Sequence, residues 1–191
     1  NSPRRKELLS GLGICYEVKT LPGIEESYPD TLSGEEIPVF IACEKADAYR
    51  QTMHSDELII TADTIVWLDG LVMGKPEDEE DARRMLRCLS GKTHQVITGV
   101  CLTTTEFQKS FATVTDVTFA ELTEEEIDYY VQKYKPMDKA GSYGIQGYGA
   151  IFVDHLEGDY FSVMGLPLCA LARMLAECGV SILREKEAPE G

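Results

Sequence analysis

The stretch that decides the fold is LIITADTIVWLDGLVM, residues 58–73. Leu58–Leu68 is a largely apolar stretch rich in β-branched residues, which predicts a buried strand. Asp69-Gly70 is a strong signal for a two-residue hairpin, and LVM then predicts a short partner strand leading to Gly74-Lys75-Pro76. The fold is therefore expected to be built around a sheet that contains this hairpin.

Helical and β-rich segments alternate on both sides of this hairpin. Helices are predicted at NSPRRKELLSGLG, from about Glu35 to Gln51, at PEDEEDARRMLRCLSG, at EEEIDYYVQKY after a Thr123–Glu126 capping box, and at LCALARMLAEC. Strands are predicted at HQVITGVCLTT and SFATVTDVTFAEL, and a second hairpin at IFVDHL and YFSVM around Gly158-Asp159. The pattern indicates one α/β domain over residues 1–191, with a mixed, twisted sheet and flanking helices.

The two ends of the chain lead to separate expectations. The first helix begins at the start of the numbering, with Ser2 as its N-cap and Pro3 at its first position, and no strand precedes it. We expect an apolar strand before Ser2 to be missing from this numbering. The final REKEAPEG is predicted to be a polar tail.

Composition limits the classes of function. A formal net charge of −15 opposes non-specific binding to nucleic acid or to an anionic membrane. The six cysteines are scattered without a C-x-x-C pair, which predicts reduced core residues in a cytoplasmic protein. We see neither a signal-peptide pattern nor an apolar run long enough to span a bilayer. Any anionic ligand must therefore be held by local basic groups.

Asp63 is the first candidate functional residue, because it interrupts the apolar strand. Burying a carboxylate costs on the order of several kcal/mol unless it is paired, hydrogen-bonded or bound to a metal. A structural role, capping a neighbouring turn or pairing with a lysine, is the alternative. Lys75 follows a hairpin that folds back along the same strand, so we expect it to be the cationic neighbour of Asp63.

Two other segments are candidates for ligand binding. Arg4 and Arg5 lie in the first turn of a helix, where the dipole is already positive, so an anionic ligand such as a phosphate would relieve the conflict. A solvated pair of arginines is the alternative. DKAGSYGIQG, residues 138–147, brings glycines and the Gln146 amide together, and that amide can read the polar edge of uracil or thymine; a plain turn is the alternative.

The order and spacing of several motifs resemble the Maf family of nucleotide pyrophosphatases. The matching stretches are SPRRKELL (2–9), the Glu25-Glu26 pair, Lys45, ADTIV (62–66), GKP (74–76), LSGKTHxVxTGV (89–100), DKAGSYGIQG and GDYxSVMGLPL (158–168). The resemblance implies a two-lobed fold related to inosine-triphosphate pyrophosphatases, with the nucleotide in a cleft between the lobes and a homodimeric assembly.

The same resemblance implies roles for particular residues. Asp63 matches the general base, and Glu25 with Asp63 matches the positions that bind a divalent metal, Mg²⁺ or Mn²⁺. The remaining matches concern the substrate: Ser2, Arg5, Lys45 and Lys75 at phosphate-binding positions, and Arg4, Thr64 and Gln146 at positions linked to substrate choice. GIQG resembles the branch that hydrolyses dTTP and UTP to the monophosphate and pyrophosphate. The same chemistry on purine or modified nucleotides, or a nucleotide-binding regulator of cell division, are the alternatives.

Overall fold

The predicted hairpin forms one edge of a five-stranded sheet with the order β2-β1-β3-β4-β5. The computed structural model describes residues 2–183, so the predicted tail at residues 184–191 lies outside the described part. The strands are β1 (Ile59–Leu68), β2 (Leu71–Met73), β3 (Thr93–Thr103), β4 (Gln108–Phe119) and β5 (Val153–Glu157). Their pairings are all antiparallel within residues 2–183. The predicted α/β class is confirmed, and the parallel pairing that a mixed sheet would add does not occur in this part of the chain.

Helices pack on both faces of the sheet. They are α1 (Pro3–Ser10), α2 (Glu36–Arg50), α3 (Glu79–Leu89), α4 (Glu124–Tyr134), α5 (Tyr160–Met164) and α6 (Leu168–Glu177). Ser2 caps α1 by accepting the Arg5 backbone N–H at 3.3 Å, and the capping box at Thr123 and Glu126 is present. The predicted helices are therefore confirmed.

The second predicted hairpin is wrong. YFSVM forms α5 instead of a strand, because Asp159 accepts the Phe161 backbone N–H at 2.9 Å and caps the segment as a helix. Gly165, at φ 124°, ends the helix at once. Local capping at both ends thus overrides the β preference of the aromatic and β-branched residues in between.

Alternation along β1 divides its side chains between two layers. Ile65 packs with Ile37 and Ile41 of α2, so the odd-numbered residues, Asp63 among them, face α2. Ala62 packs with Leu8 of α1, and the even-numbered residues face the layer that contains α1 and α6. Asp63 and the neighbouring Thr64 therefore lie on opposite faces of the sheet.

Gly99 sets the distance between α2 and the sheet. It pairs with Asp63 across the β1–β3 ladder. A Cβ atom at Gly99 would lie 2.4 Å from the Pro38 carbonyl carbon and from the Val39 nitrogen, so α2 lies directly on the β3 backbone at this point. This close approach is what positions Lys45, further along α2, beside β1.

The prediction that the cysteines are core residues is wrong for Cys15 and Cys169, which are exposed. Cys101 is fully buried. All six thiols are free. Within residues 2–183, no helix is both long and apolar enough to cross a bilayer. The single-domain, two-lobe organisation stays a prediction.

Candidate active site

Asp63 is a buried carboxylate paired with a lysine. Only 8% of the residue is exposed. Lys45 extends from α2, and its Nζ lies 3.1 Å from Asp63 Oδ1 and 3.4 Å from the Ala62 carbonyl oxygen. Burial raises the pKa of Asp63, and the positive charges of Lys45 and Arg5 oppose that rise. The structure therefore combines a buried acid with cations that keep its ionised form accessible.

The same lysine holds a second carboxylate that the sequence did not single out. Lys45 Nζ lies 2.8 Å from Glu26 Oε1. Burial alone would raise the pKa of Glu26, but hydrogen bonding to Lys45 and the charges of Lys45, Lys75 and Arg5 outweigh burial and lower it. One ammonium thus lies between two acids. Adjacent glutamates in a loop look alike in sequence, so no sequence signal distinguished Glu26 from Glu25.

One predicted contact differs from the structure. Lys75 is not the partner of Asp63, because β2 pairs only with residues 66–68 of β1 and the hairpin stops short of Asp63. Lys75 lies close enough to influence Glu26 instead. Glu25 is exposed and lines a separate cavity of about 730 Å³ with Tyr28, Phe40 and Glu44. Its role as a metal ligand stays a prediction.

Arg5 is fixed by two hydrogen bonds from its guanidinium. Its Nε donates to the Gly165 carbonyl oxygen at 2.7 Å, and its Nη2 donates to Thr64 Oγ1 at 3.0 Å. Burial lowers the pKa of Arg5, whereas the charge of Asp63 raises it. The guanidinium is therefore held between the end of α5 and the strand that carries Asp63.

A chain of hydroxyl groups continues from Arg5 into the sheet. Thr64 Oγ1 lies 2.8 Å from Thr98 Oγ1, and Thr98 Oγ1 donates to the Ser162 carbonyl oxygen at 2.8 Å. Since the Thr98 hydroxyl proton is used toward Ser162, Thr64 donates to Thr98 and accepts from Arg5. Thr98 is fully buried. It lies within the matched VITGV segment, but only the fold shows that it supports Arg5.

The glycine-rich segment lies against the β1–β2 hairpin and α4. The Gly141 N–H donates to the Gly74 carbonyl oxygen at 3.1 Å, and the Gly144 N–H donates to Tyr130 Oη at 3.1 Å. Gln146 is exposed, and its side chain does not cap the 3₁₀ turn that it precedes. Its amide is available to a ligand, and the segment just before it is anchored by the hydrogen bonds of Gly141 and Gly144.

Arg4 lies close enough to this segment for its charge to act on Asp138 and Tyr130. Burial raises the pKa of Tyr130, and the charge of Arg4 opposes that rise. Burial also acts to raise the pKa of Asp138, but the hydrogen bond to Lys139 and nearby positive charges, Arg4 among them, outweigh it and lower that pKa. The two arginines thus differ: Arg5 is hydrogen-bonded to β1 and to Gly165 after α5, whereas the charge of Arg4 acts on Asp138 and Tyr130 as well as on Arg5.

A groove of about 680 Å³ brings three of the four phosphate-binding candidates together; Lys75 is not part of its wall. Its wall includes Ser2, Arg5, Glu26, Lys45 and Ala62, the residue next to Asp63. That volume is within the usual range for small-molecule sites. The groove combines the N-terminus of α1 with Arg5 and Lys45, and with the carboxylate of Glu26 beside them, which suits an anionic ligand that arrives with a cation.

Asp63 and Glu26 fit a hard divalent metal. Their carboxylate oxygens converge on one position, now taken by Lys45 Nζ at 3.1 and 2.8 Å. Residues 2–183 contain no group of three or more His, Cys, Asp or Glu side chains arranged for a metal. Two carboxylates are nevertheless enough for Mg²⁺, which commonly completes its shell with water and substrate phosphates.

Known proteins resemble this chain over nearly its full length. A model of the family described as "Maf-like protein" matches residues 1–178. A protein of Phocaeicola vulgatus is 76% identical over 169 residues, which are 88% of each chain. One of Bacteroides fragilis is 64% identical over 178 residues, 93% of this chain and 92% of the relative. One of Porphyromonas gingivalis is 52% identical over 183 residues, 94% of this chain and 92% of the relative.

All three relatives bear the name dTTP/UTP pyrophosphatase. The family match covers the segment that carries α1, Lys45, Asp63 and the glycine-rich loop. On the extent of this match and the identity of these relatives, the chain belongs to the Maf family.

Proposed function

We propose that the protein hydrolyses nucleoside triphosphates, dTTP and UTP among them, to the monophosphate and pyrophosphate. The observation that carries the proposal is the position of Asp63, a buried carboxylate held 3.1 Å from Lys45 beside a groove lined by Arg5 and the N-terminus of α1. The names of the relatives support the substrate class.

Asp63 acts as the general base. It accepts a proton from the water that attacks the α-phosphorus, and pyrophosphate leaves. Its pKa is raised by burial, which makes the ionised form a better proton acceptor than an exposed aspartate. Because Lys45 lies at hydrogen-bonding distance, the carboxylate is also held in a defined orientation before a substrate arrives.

The cations that now neutralise acids bind the triphosphate. Arg5 lies in the first turn of α1, where the free N–H groups and the helix dipole favour an anion, and Ser2 lies at the cap. Lys45 exchanges its carboxylate partners for phosphate oxygens. Lys75, whose charge lowers the pKa of Glu26, supplies a further cation nearby. An acidic protein needs such a local set of cations to hold a tetra-anion.

A divalent metal, Mg²⁺ or Mn²⁺, completes the site. When bound, it offsets negative charge on the phosphate oxygens. Asp63 and Glu26 would hold it, since their oxygens already share one cation, and Glu25 would join them if the loop turned. Lys45 would then be free to bind the substrate.

Base preference is set at Gln146, Thr64 and Arg4. The exposed Gln146 amide offers both a donor and an acceptor to uracil or thymine. Thr64 accepts from Arg5, so it acts on the substrate through that guanidinium. A homodimer, a cytoplasmic location and the absence of nucleic-acid partners stay predictions.

The test is pyrophosphate release from a panel of nucleoside triphosphates with Mg²⁺ or Mn²⁺. We expect dTTP and UTP to be hydrolysed fastest, and Asp63→Asn to reduce turnover by about 10²-fold or more, in the range expected for a general base. Asp69→Asn, at the exposed tip of the same hairpin, is the matched control and should keep full turnover.

Two outcomes would contradict the proposal. If a folded Asp63→Asn variant kept most of its turnover, Asp63 would not be the base. If no nucleotide released pyrophosphate, the result would favour the alternative of a nucleotide-binding regulator with little catalysis. Faster hydrolysis of purine or modified nucleotides would correct the base preference alone.

A further inference from the structure

Two thiols meet where α2 packs on the sheet. Cys43 on α2 packs against a cluster formed by Ala42, Ala46 and Cys101. Cys101 belongs to β3 and is fully buried, whereas Cys43 is half-buried. A small oxidant can therefore reach Cys43 from solvent, and Cys101 lies behind it.

The two thiols interact, and the interaction is asymmetric. Hydrogen bonding to Cys101 is the main cause that lowers the pKa of Cys43 to about 7; Ser110, the cross-strand partner of Cys101, also contributes. Burial and the charges of Asp47 and Glu44 oppose this shift. The pKa of Cys101 is raised, first by the same bond to Cys43 and then by burial.

This asymmetry assigns different chemical roles to the two sulfurs. The thiolate is the nucleophilic form of cysteine, so the half-buried Cys43 is the reactive member. Cys101 keeps its proton and lies in contact with Cys43, with its Sγ 3.5 Å from Thr103 Oγ1. Redox-active cysteines combine low pKa, accessibility and a neighbouring resolving thiol.

We propose that Cys43 and Cys101 form a peroxide-reactive dithiol site, in which Cys43 is oxidised first and Cys101 resolves it to a disulfide. The Cys43 thiolate attacks one oxygen of hydrogen peroxide, the O–O bond breaks, and hydroxide leaves as water after taking a proton. Cys101 sulfur then attacks the Cys43 sulfenic acid, the S–O bond breaks, and a second water leaves with the Cys101 proton. Two thiols are oxidised and one peroxide is reduced.

The bond would join α2 to β3 close to the candidate active site. Cys43 lies two positions before Lys45 on α2, and Cys101 lies two positions after Gly99, where α2 contacts the sheet. A disulfide here would tie the helix that carries Lys45 to the strand that pairs with Asp63. The modification itself does not depend on the proposed hydrolysis.

The test uses the full chain, reduced and then treated with equimolar hydrogen peroxide, followed by alkylation, intact mass measurement and peptide mapping. We expect the loss of two protons and a peptide linked through Cys43 and Cys101. In Cys101→Ala, a sulfenic acid at Cys43 should be trapped by dimedone instead. Removing the exposed thiols with Cys15→Ser and Cys169→Ser should leave the linked peptide unchanged.

A measurement on the unmodified protein avoids any dependence on the folding of variants. The rate of Cys43 alkylation by iodoacetamide should rise with pH around an apparent pKa of about 7. Cys15 and Cys169, on the same molecule, provide the comparison. Oxidation confined to these exposed thiols, or a Cys43 no more reactive than they are at pH 7, would overturn the proposal.

Discussion

Replacing Gly99 with alanine tests the contact that positions α2. The new Cβ would lie 2.4 Å from the Pro38 carbonyl carbon and the Val39 nitrogen, whereas ordinary contact begins at 3.4 Å. The helix must therefore move by about 1 Å, since its backbone cannot rotate away as a side chain could. Overpacking of this kind costs about 1–3 kcal/mol, and a clash with backbone places Gly99→Ala at the upper end.

Urea unfolding followed by tryptophan fluorescence measures this cost. The chain has one tryptophan, Trp67, which packs in the layer between β1 and α2. With a slope of about 2 kcal/mol per molar urea, a loss of about 3 kcal/mol lowers the midpoint by about 1.5 M. The same displacement lengthens the 3.1 Å contact between Lys45 and Asp63, so turnover should fall as well.

Gly74→Ala is the matched control. A Cβ atom there meets nothing within 4 Å, and the backbone is not in the left-handed region. Its stability should change by no more than about 1 kcal/mol in either direction. Equal midpoints for Gly99→Ala and the unmodified protein would refute the reasoning that Gly99 sets the helix–sheet distance.

Three further predictions concern pH, positioning and base choice. His94 is fully buried, its Nε2 lies 2.6 Å from Tyr143 Oη, and burial lowers its pKa to about 4. In the unfolded chain this imidazole takes up a proton near pH 6.5, whereas in the folded chain it does so only near pH 4. The contribution of the neutral, buried imidazole to stability is therefore complete above pH 6.5 and is lost as the pH falls toward 4. When the pH is lowered from 7 to 5, the free energy of unfolding measured in urea should fall by about 2 kcal/mol less in His94→Gln than in the unmodified protein. Equal decreases in the two proteins would contradict this. Thr98→Val removes the hydroxyl that links Thr64 to the Ser162 carbonyl oxygen. The fold should be destabilised by about 1–3 kcal/mol, and KM should rise because Arg5 loses the support of Thr64. Thr98→Ser keeps the hydroxyl and should restore both stability and KM. An unchanged KM would show that Arg5 does not need this support. Gln146→Glu should change the ratio of kcat/KM between UTP and other bases more than the metal dependence, and constant ratios would count against base reading by its amide.

Local sequence was enough to predict most elements and the central candidate. Ser2 as a cap, the Asp69-Gly70 turn and the capping box at Thr123 each depend on neighbours within a few residues. Asp63 could be singled out because a carboxylate in an apolar run is anomalous whatever the fold around it. The same reasoning failed at YFSVM, where Asp159 and Gly165 stabilise a helix despite β-forming residues between them.

The tertiary structure decided which residues meet. Asp63 pairs with Lys45 and not with Lys75, because α2 crosses the sheet at Gly99 while the β1–β2 ladder ends at Val66. The second acid at Lys45 is Glu26, and no local property separates it from Glu25. These partners are distant in sequence, and their distances depend on how closely a helix packs on a strand. Periodicity and capping determine where helices and strands begin and end. The position of a charged side chain in the site depends on how helices and strands pack against one another, and those contacts exist only in the folded chain.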